Sequence, residues 1–128
     1  MDRVRSEAPY AGSWGYCRAL RVGDRVLVSG TSATEADGSV HAPGDPYAQT
    51  VFIIGLIERA LGEVGAGLDD VVRTRAFLTD IADWREVGRA HLEHFGETMP
   101  TSTCIGGAVL MQPELVVELE AEALLASA

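Results

Sequence analysis

Apolar residues between positions 19 and 28 fall into two short runs, Ala19, Leu20 and Val22, then Val26, Leu27 and Val28, separated by Gly23-Asp24. Glycine and aspartate between apolar runs are the residues of a tight hairpin turn, so the pattern predicts two paired strands. Ser29-Gly30-Thr31 closes the second strand, and residues 34–44 form a polar loop bearing glycine and proline. Asp45 then reads as a helix N-cap, with Pro46 at the first helical position, where a missing N–H is no loss. Ile53, Leu56, Ile57, Ala60, Leu61 and Val64 step along one helical face, while Gln49, Glu58, Arg59 and Glu63 fall largely off it. Gly65 and Gly67 end that helix.

Residues 71–79 alternate, with Val71, Arg73, Arg75 and Phe77 on one side and Val72, Thr74, Ala76 and Leu78 on the other. That is a strand with one buried and one partly polar face. A second helix is predicted from about 82 to 94, capped by Asp80 or Asp83, with Trp84, Val87, His91 and Phe95 sharing a face. Residues 101–110 and 115–125 read as the last two strands, separated by Met111-Gln112-Pro113. In the final strand Val117, Leu119 and Ala121 oppose Val116, Glu118 and Glu120. The order β-β-(β)-α-β-α-β-β predicts an α+β fold with two helices on one face of a mixed sheet. The other sheet face, carrying Ala108, Val117, Leu119 or their alternates and the Gly106-Gly107 stretch, would be left open, and a symmetric oligomer is the simplest cover.

The chain has 128 residues, 47% of them apolar, which suits one domain over 1–128 with a real core. No apolar run reaches the ~18 residues of a membrane span. Residues 1–9 carry Asp2, Arg3, Arg5 and Glu7 in place of a signal peptide's apolar run, so the cytoplasm is the expected location. The net charge of −9 argues against a nucleic-acid partner, which requires a basic patch facing phosphates. All ten basic residues are arginine, and the absence of lysine removes Schiff-base chemistry.

Cys17 and Cys104 fit no metal spacing and read as small hydrophobes unless a base or helix terminus lowers a thiol pKa. No histidine pair has ligand spacing with a carboxylate, so no metal site is expected. His91 is either a base or donor at a pocket rim or a packed residue among Trp84, Val87 and Phe95. Glu118 and Glu120, two apart in a strand, share a face. They are either desolvated acid–base groups or a solvated face paired with Arg73 or Arg75. Ser29 and Ser102 lack a nucleophile-elbow context and read as hydrogen-bond donors to a ligand.

Several segments taken together resemble one known family. They are Val28-Ser29-Gly30-Thr31, the run from Gly65-Ala66-Gly67-Leu68-Asp69-Asp70 into Val71-Val72-Arg73-Thr74, and Thr79-Asp80-Ile81-Ala82-Asp83-Trp84. Pro100-Thr101-Ser102-Thr103 and Val117-Glu118-Leu119-Glu120-Ala121 complete the set. In order and spacing they are similar to the Rid (YjgF-type) family, over residues 16–124. The resemblance implies a bacillus-type chorismate-mutase-like fold of about six strands and a homotrimer with ligand clefts between subunits. It also implies cofactor-free hydrolysis of reactive enamines and imines, such as 2-aminoacrylate, to a keto acid and ammonia. A non-catalytic metabolite-binding trimer is the second reading, and ribonuclease activity, also ascribed to the family, is a distant third for so acidic a chain.

Carried over residue by residue, the resemblance makes Glu118 the acidic residue that positions or activates water. Tyr16 falls on the aromatic lining position, Ser29 and Gly30 on the adjoining loop, and Cys104 on the cysteine of the pocket strand. The deaminase-type members carry an arginine two residues after the proline, gripping the substrate carboxylate; here that position is Ser102. A guanidinium offers a charge and two parallel donors, whereas a serine offers one neutral hydroxyl. That exchange is worth about 1.5–3 kcal/mol, or roughly 10–100-fold in binding an anion. Arg73 or Arg75 is the candidate to restore the charge, and the usual 2-imino acid is not the expected substrate without it.

Overall fold

Asp45 caps the long helix as its sequence position predicts, its Oδ1 accepting from the Ala48 N–H at 3.0 Å. In the computed structural model, which describes residues 1–126, that helix is α2 (Pro46–Glu63). It buries Ile53, Ile54, Ile57, Ala60 and Leu61. Each large aliphatic side chain so buried contributes about 1.5–3 kcal/mol. The facing surface is a six-stranded sheet of β1 (Asp2–Val4), β2 (Ala19–Val22), β3 (Arg25–Ser32), β4 (Val71–Leu78), β5 (Thr101–Ile105) and β6 (Val117–Leu124). The spatial order is β1-β2-β3-β6-β4-β5, antiparallel throughout except for the parallel β4–β5 pair. A four-residue helix α1 (Ala11–Trp14) precedes β2, and α3 (Trp84–Phe95) packs beside α2. The mixed sheet with two long helices on one face is the expected fold class.

Gln49 ties the layers together. Fully buried on α2, it donates to the Ala42 and Glu114 carbonyls at 3.0 and 2.9 Å and accepts from the Val116 N–H at 3.0 Å. A residue that the helical pattern places off the apolar stripe therefore fixes where β6 enters the sheet.

The structure corrects four expectations. The last strand turns Val117, Leu119, Ala121 and Ala123 under the helices, so the open face carries the alternates Glu118, Glu120 and Glu122. That face is mixed: β4 contributes Arg73, Arg75 and Phe77, each directly opposite one of these glutamates. Second, a register shift between Val71 and Arg73 sends Val71 into the core and leaves Val72 exposed, reversing their expected sides. Third, the strand read over 101–110 stops at Ile105. Gly106 lies so close to Ile81 that a Cβ there would sit 2.5 Å from the Ile81 Cβ, and Gly107 turns the chain away with φ +80°. Fourth, the second helix starts at Trp84, after a 3-10 turn over Ile81–Asp83 in which the Asp80 carboxylate accepts from the Ala82 N–H.

Candidate functional site

The pleat of β6 puts three carboxylates in a row on the open face, and their surroundings differ sharply. Glu122 pairs with Arg25 at 3.1 Å and lies 3.9 Å from Arg75, whose guanidinium also donates to Glu120 at 3.3 Å. Glu118 enters no ion pair or hydrogen bond among the described residues. It is half-buried, opposite Phe77, with its carboxyl against Gly30. Burial first, then the neighbouring Glu120 charge, pushes its pKa above the ordinary glutamate value, and the nearby Arg18 partly opposes the rise.

Gly30 makes this placement possible. A Cβ on residue 30 would lie 2.6 Å from Glu118 Oε1, so any larger residue must displace the carboxyl group. Gly30 belongs to the irregular stretch of β3 between Val28 and Thr31, where the pairing with β6 slips. Arg18 pins that stretch: Nη1 donates to the Gly30 carbonyl at 3.0 Å and to Thr31 Oγ1 at 2.9 Å, and Nη2 to Ser6 Oγ at 2.8 Å. Its guanidinium also stands 5.8 Å from the centre of the Tyr16 ring.

Tyr16, Arg18, Ser29, Gly30, Phe77 and Glu118 all line one open groove of about 1050 Å³, flanked by the 7–14 segment and by Val109, Leu110 and Met111. Four of the candidate residues, Tyr16, Ser29, Gly30 and Glu118, thus line the same groove. The role expected of Ser29 changes, because its hydroxyl donates to the Cys17 carbonyl at 2.7 Å and offers the groove only lone pairs. Neither Arg73 nor Arg75 lines the groove. Arg75 is held by Glu120 and Glu122, so the cation beside Glu118 is Arg18. Arg18 escaped notice in the sequence, although its position two residues after Tyr16, at the entry to β2, is the signal that puts both on one side.

His91, Ser102 and Cys104 gather in a different place. They line a second pocket of about 300 Å³ on the helix side of the sheet, between β5 and α3. The β4–β5 register explains the separation, since Ser102 and Cys104 pair with Thr74 and Ala76, which point toward the helices, while Phe77 faces Glu118 on the other side. Thr74, 2% exposed, links the pocket's polar atoms: its Oγ1 is 2.8 Å from His91 Nε2 and 2.7 Å from Ser102 Oγ. Burial lowers the His91 pKa, with the His94 charge adding to the effect, and burial raises that of the Cys104 thiol. Both are therefore uncharged at neutral pH. Within one chain, Glu118 and Ser102 open on opposite sides of the sheet and line different pockets.

Among the described residues, no group of three histidine, cysteine, aspartate or glutamate side chains is arranged to hold a metal, and no helix is long and apolar enough to cross a membrane.

A mixed sheet with this strand order and two helices on one face is the architecture of a known class. The family model described as endoribonuclease L-PSP matches residues 6–125, and the chain belongs to that family. A solved structure from Mycobacterium tuberculosis, Rv2704, described as a member of the YjgF/YER057c/UK114 family, superposes with a TM-score of 0.87 at 40% identity, covering 97% of this chain and 98% of that one. The uncharacterized protein SCO2049 of Streptomyces coelicolor is 39% identical over 123 residues, 96% of this chain and 91% of its own length. The RutC family protein PYRAB12510 of Pyrococcus abyssi is 31% identical over 106 residues, 83% of each chain. These findings bear out the family resemblance read from the sequence and the fold that it implied.

Proposed function

We propose that this chain is a cofactor-free hydrolase of small imines or enamines, working in the cytoplasm as a homotrimer whose clefts lie between subunits. The observation that carries the reading is Glu118: a half-buried carboxyl, unpaired beside two glutamates that are paired, with its pKa raised, in a groove large enough for a metabolite. In the reaction, water adds to the carbon of the C=N bond while the Glu118 carboxylate takes a proton from it. The same carboxyl returns that proton to nitrogen, giving a carbinolamine; it then carries the hydroxyl proton to the amine, and ammonia leaves as the carbonyl forms. An enamine first accepts a proton from Glu118 at carbon and then follows the same course. General acid–base catalysis of this kind is worth roughly 10²–10⁴-fold.

The trimer reading explains why the candidate residues fall on two sheet faces. The Glu118 groove of one subunit, set against the Ser102 pocket of the next, assembles all seven of them. Ammonia release from freshly generated 2-aminoacrylate and from a neutral imine tests the proposal. The expected result is turnover that Glu118→Ala lowers by about 10²-fold or more; equal rates in the two proteins defeat it.

Ser102, standing where a carboxylate-gripping arginine is expected, favours a second reading: a trimer that binds a metabolite without converting it. Ligand-dependent thermal stabilisation with no product is its signature. A ribonuclease role is the least supported, since the carboxylates of β6 line the open face; absence of RNA binding at low salt is the expected result.

A further inference from the structure

The pocket between β5 and α3 holds no charged group. Ala76, Ile81, Trp84 and Val87 form its walls, and its polar atoms come from Ser102 and His91, with the Cys104 thiol alongside. Desolvation lowers the His91 pKa and raises that of the Cys104 thiol, both toward the uncharged form. Arg73 and Arg75 project from the opposite sheet face. Arg85 lies over the Trp84 ring, Cζ 4.6 Å from its centre, without lining the pocket. A carboxylate entering here would lose its water against an apolar wall and gain one neutral hydroxyl.

The polar atoms form a chain, His91 Nε2, Thr74 Oγ1, Ser102 Oγ, in which either hydroxyl can donate. When Nε2 accepts, protons run from Ser102 through Thr74 to the ring, and Ser102 offers its lone pairs outward. When Nε2 carries the proton, the chain reverses and Ser102 donates outward. A neutral imidazole supplies either tautomer, so Ser102 matches a group that is both donor and acceptor.

We propose that this pocket selects an uncharged, largely apolar group bearing an amide or hydroxyl, making the ligand of the adjoining cleft a neutral molecule. The inference rests on the cleft reading above and adds to it the substrate class and a specificity role for the Ser102–Thr74–His91 chain. His91 and Thr74 act through Ser102 as positioning residues.

Phenylacetamide and phenylacetate, alike in shape and different in charge, test it on the full-length protein. Trp84 is one of two tryptophans, so a Trp14→Phe background makes it the sole indole reporter. The expected result is quenching or shift of Trp84 emission by phenylacetamide, with an affinity at least tenfold above that of phenylacetate. Ser102→Ala should weaken the amide by severalfold, and Ser102→Arg should invert the preference. Should Ser102→Arg fail to fold, Ser102→Ala carries the test. Equal or tighter binding of phenylacetate by the unaltered pocket overturns the proposal, as does silence of Trp84 with both probes. The outcomes separate from those of the hydrolysis assay. Amide binding without any ammonia release removes the enzyme and leaves the pocket, whereas ammonia release with a preference for phenylacetate does the reverse.

Discussion

Replacing Gly30 by alanine should separate stability from function. The added Cβ would lie 2.6 Å from Glu118 Oε1 and 3.1 Å from its Cδ, well inside the ~3.5 Å at which heavy atoms rest. The obstacle is the far end of a flexible side chain, so the carboxyl gives way by about 1 Å. Turning a side chain that far from its rotamer costs about 0.5–1.5 kcal/mol. Residue 30 is outside the left-handed region, so alanine fits the backbone and recovers about 0.4–1 kcal/mol from the unfolded chain. The two nearly cancel, leaving a net change within ~1 kcal/mol, a shift of only a few degrees in Tm.

The effect on chemistry is of another size, because a displacement of ~1 Å at a reacting group is worth about 10²-fold in rate. Two measurements belong together with the thermal melt: kcat/KM for ammonia release, and the carboxyl ¹³C titration of Glu118. The expected set is a near-unchanged melt, a rate down by about 10²-fold, and a Glu118 pKa returned toward the ordinary glutamate value as the group swings into groove water. A folded Gly30→Ala protein with full activity and an unmoved titration would refute the reasoning. So would a Tm loss of ~10 °C, since the carboxyl would then be held by something other than its contact with Gly30.

Three further outcomes follow from the same contacts. Because burial and Glu120 raise the Glu118 pKa in the folded state, the folded chain holds that proton more tightly than the unfolded one. Its contribution to stability is complete below the unfolded pKa and is lost as pH rises through the folded one. Glu118→Gln should therefore flatten the Tm–pH curve just above the ordinary glutamate range and melt higher than the parent at neutral pH. Arg18→Gln removes donors to Ser6, Gly30 and Thr31, should cost ~1–3 kcal/mol by denaturant unfolding, and should drive the Glu118 titration further upward. Gln49→Leu leaves two carbonyls and one N–H without their side-chain partner and should cost ~3 kcal/mol in the same assay, with little change in the Glu118 titration.

Local chemistry was legible in the sequence wherever one short segment decides it. The Gly23-Asp24 turn, the Asp45-Pro46 helix start and the alternation of β6 each depend on residues within a few positions of one another. Pairing over distance was not legible: nothing in residues 117–124 says that they lie between β3 and β4, or that Phe77 stands across from Glu118. The edge strand Asp2–Val4 has too few residues to show a period, and α1 is a single turn. The Ile105 boundary of β5 is set by contact between Gly106 and Ile81, and the sidedness of Val71 by a bulge, neither of which leaves a mark on local hydrophobicity. At the site, the alternative of an ion pair with Arg75 holds for Glu120 and fails for Glu118, although both have the same spacing from β4. The difference lies in the residue opposite, Arg75 for one and Phe77 for the other.

That contrast bears on why the groove merits a functional reading at all. A sheet face built only for stability would pair each of its carboxylates, as Arg25 and Arg75 do for Glu122 and Glu120. Placing Phe77 opposite Glu118 withholds a cation, adds desolvation and leaves a group whose ionised form is disfavoured in the folded chain. Such an arrangement lowers stability above the pKa of Glu118, and the cost is recovered only when something in the groove takes or gives the proton. The helix-side pocket shows the complementary bias, with no charged group in its lining and with Ser102 and His91 linked through Thr74. A molecule touching both would meet a proton donor at one end and an uncharged apolar wall at the other, which suits a neutral imine and disfavours its carboxylate-bearing analogue. The ratio of ammonia release from the two substrates, measured in the parent and in Ser102→Arg, should therefore fall from above one to below one.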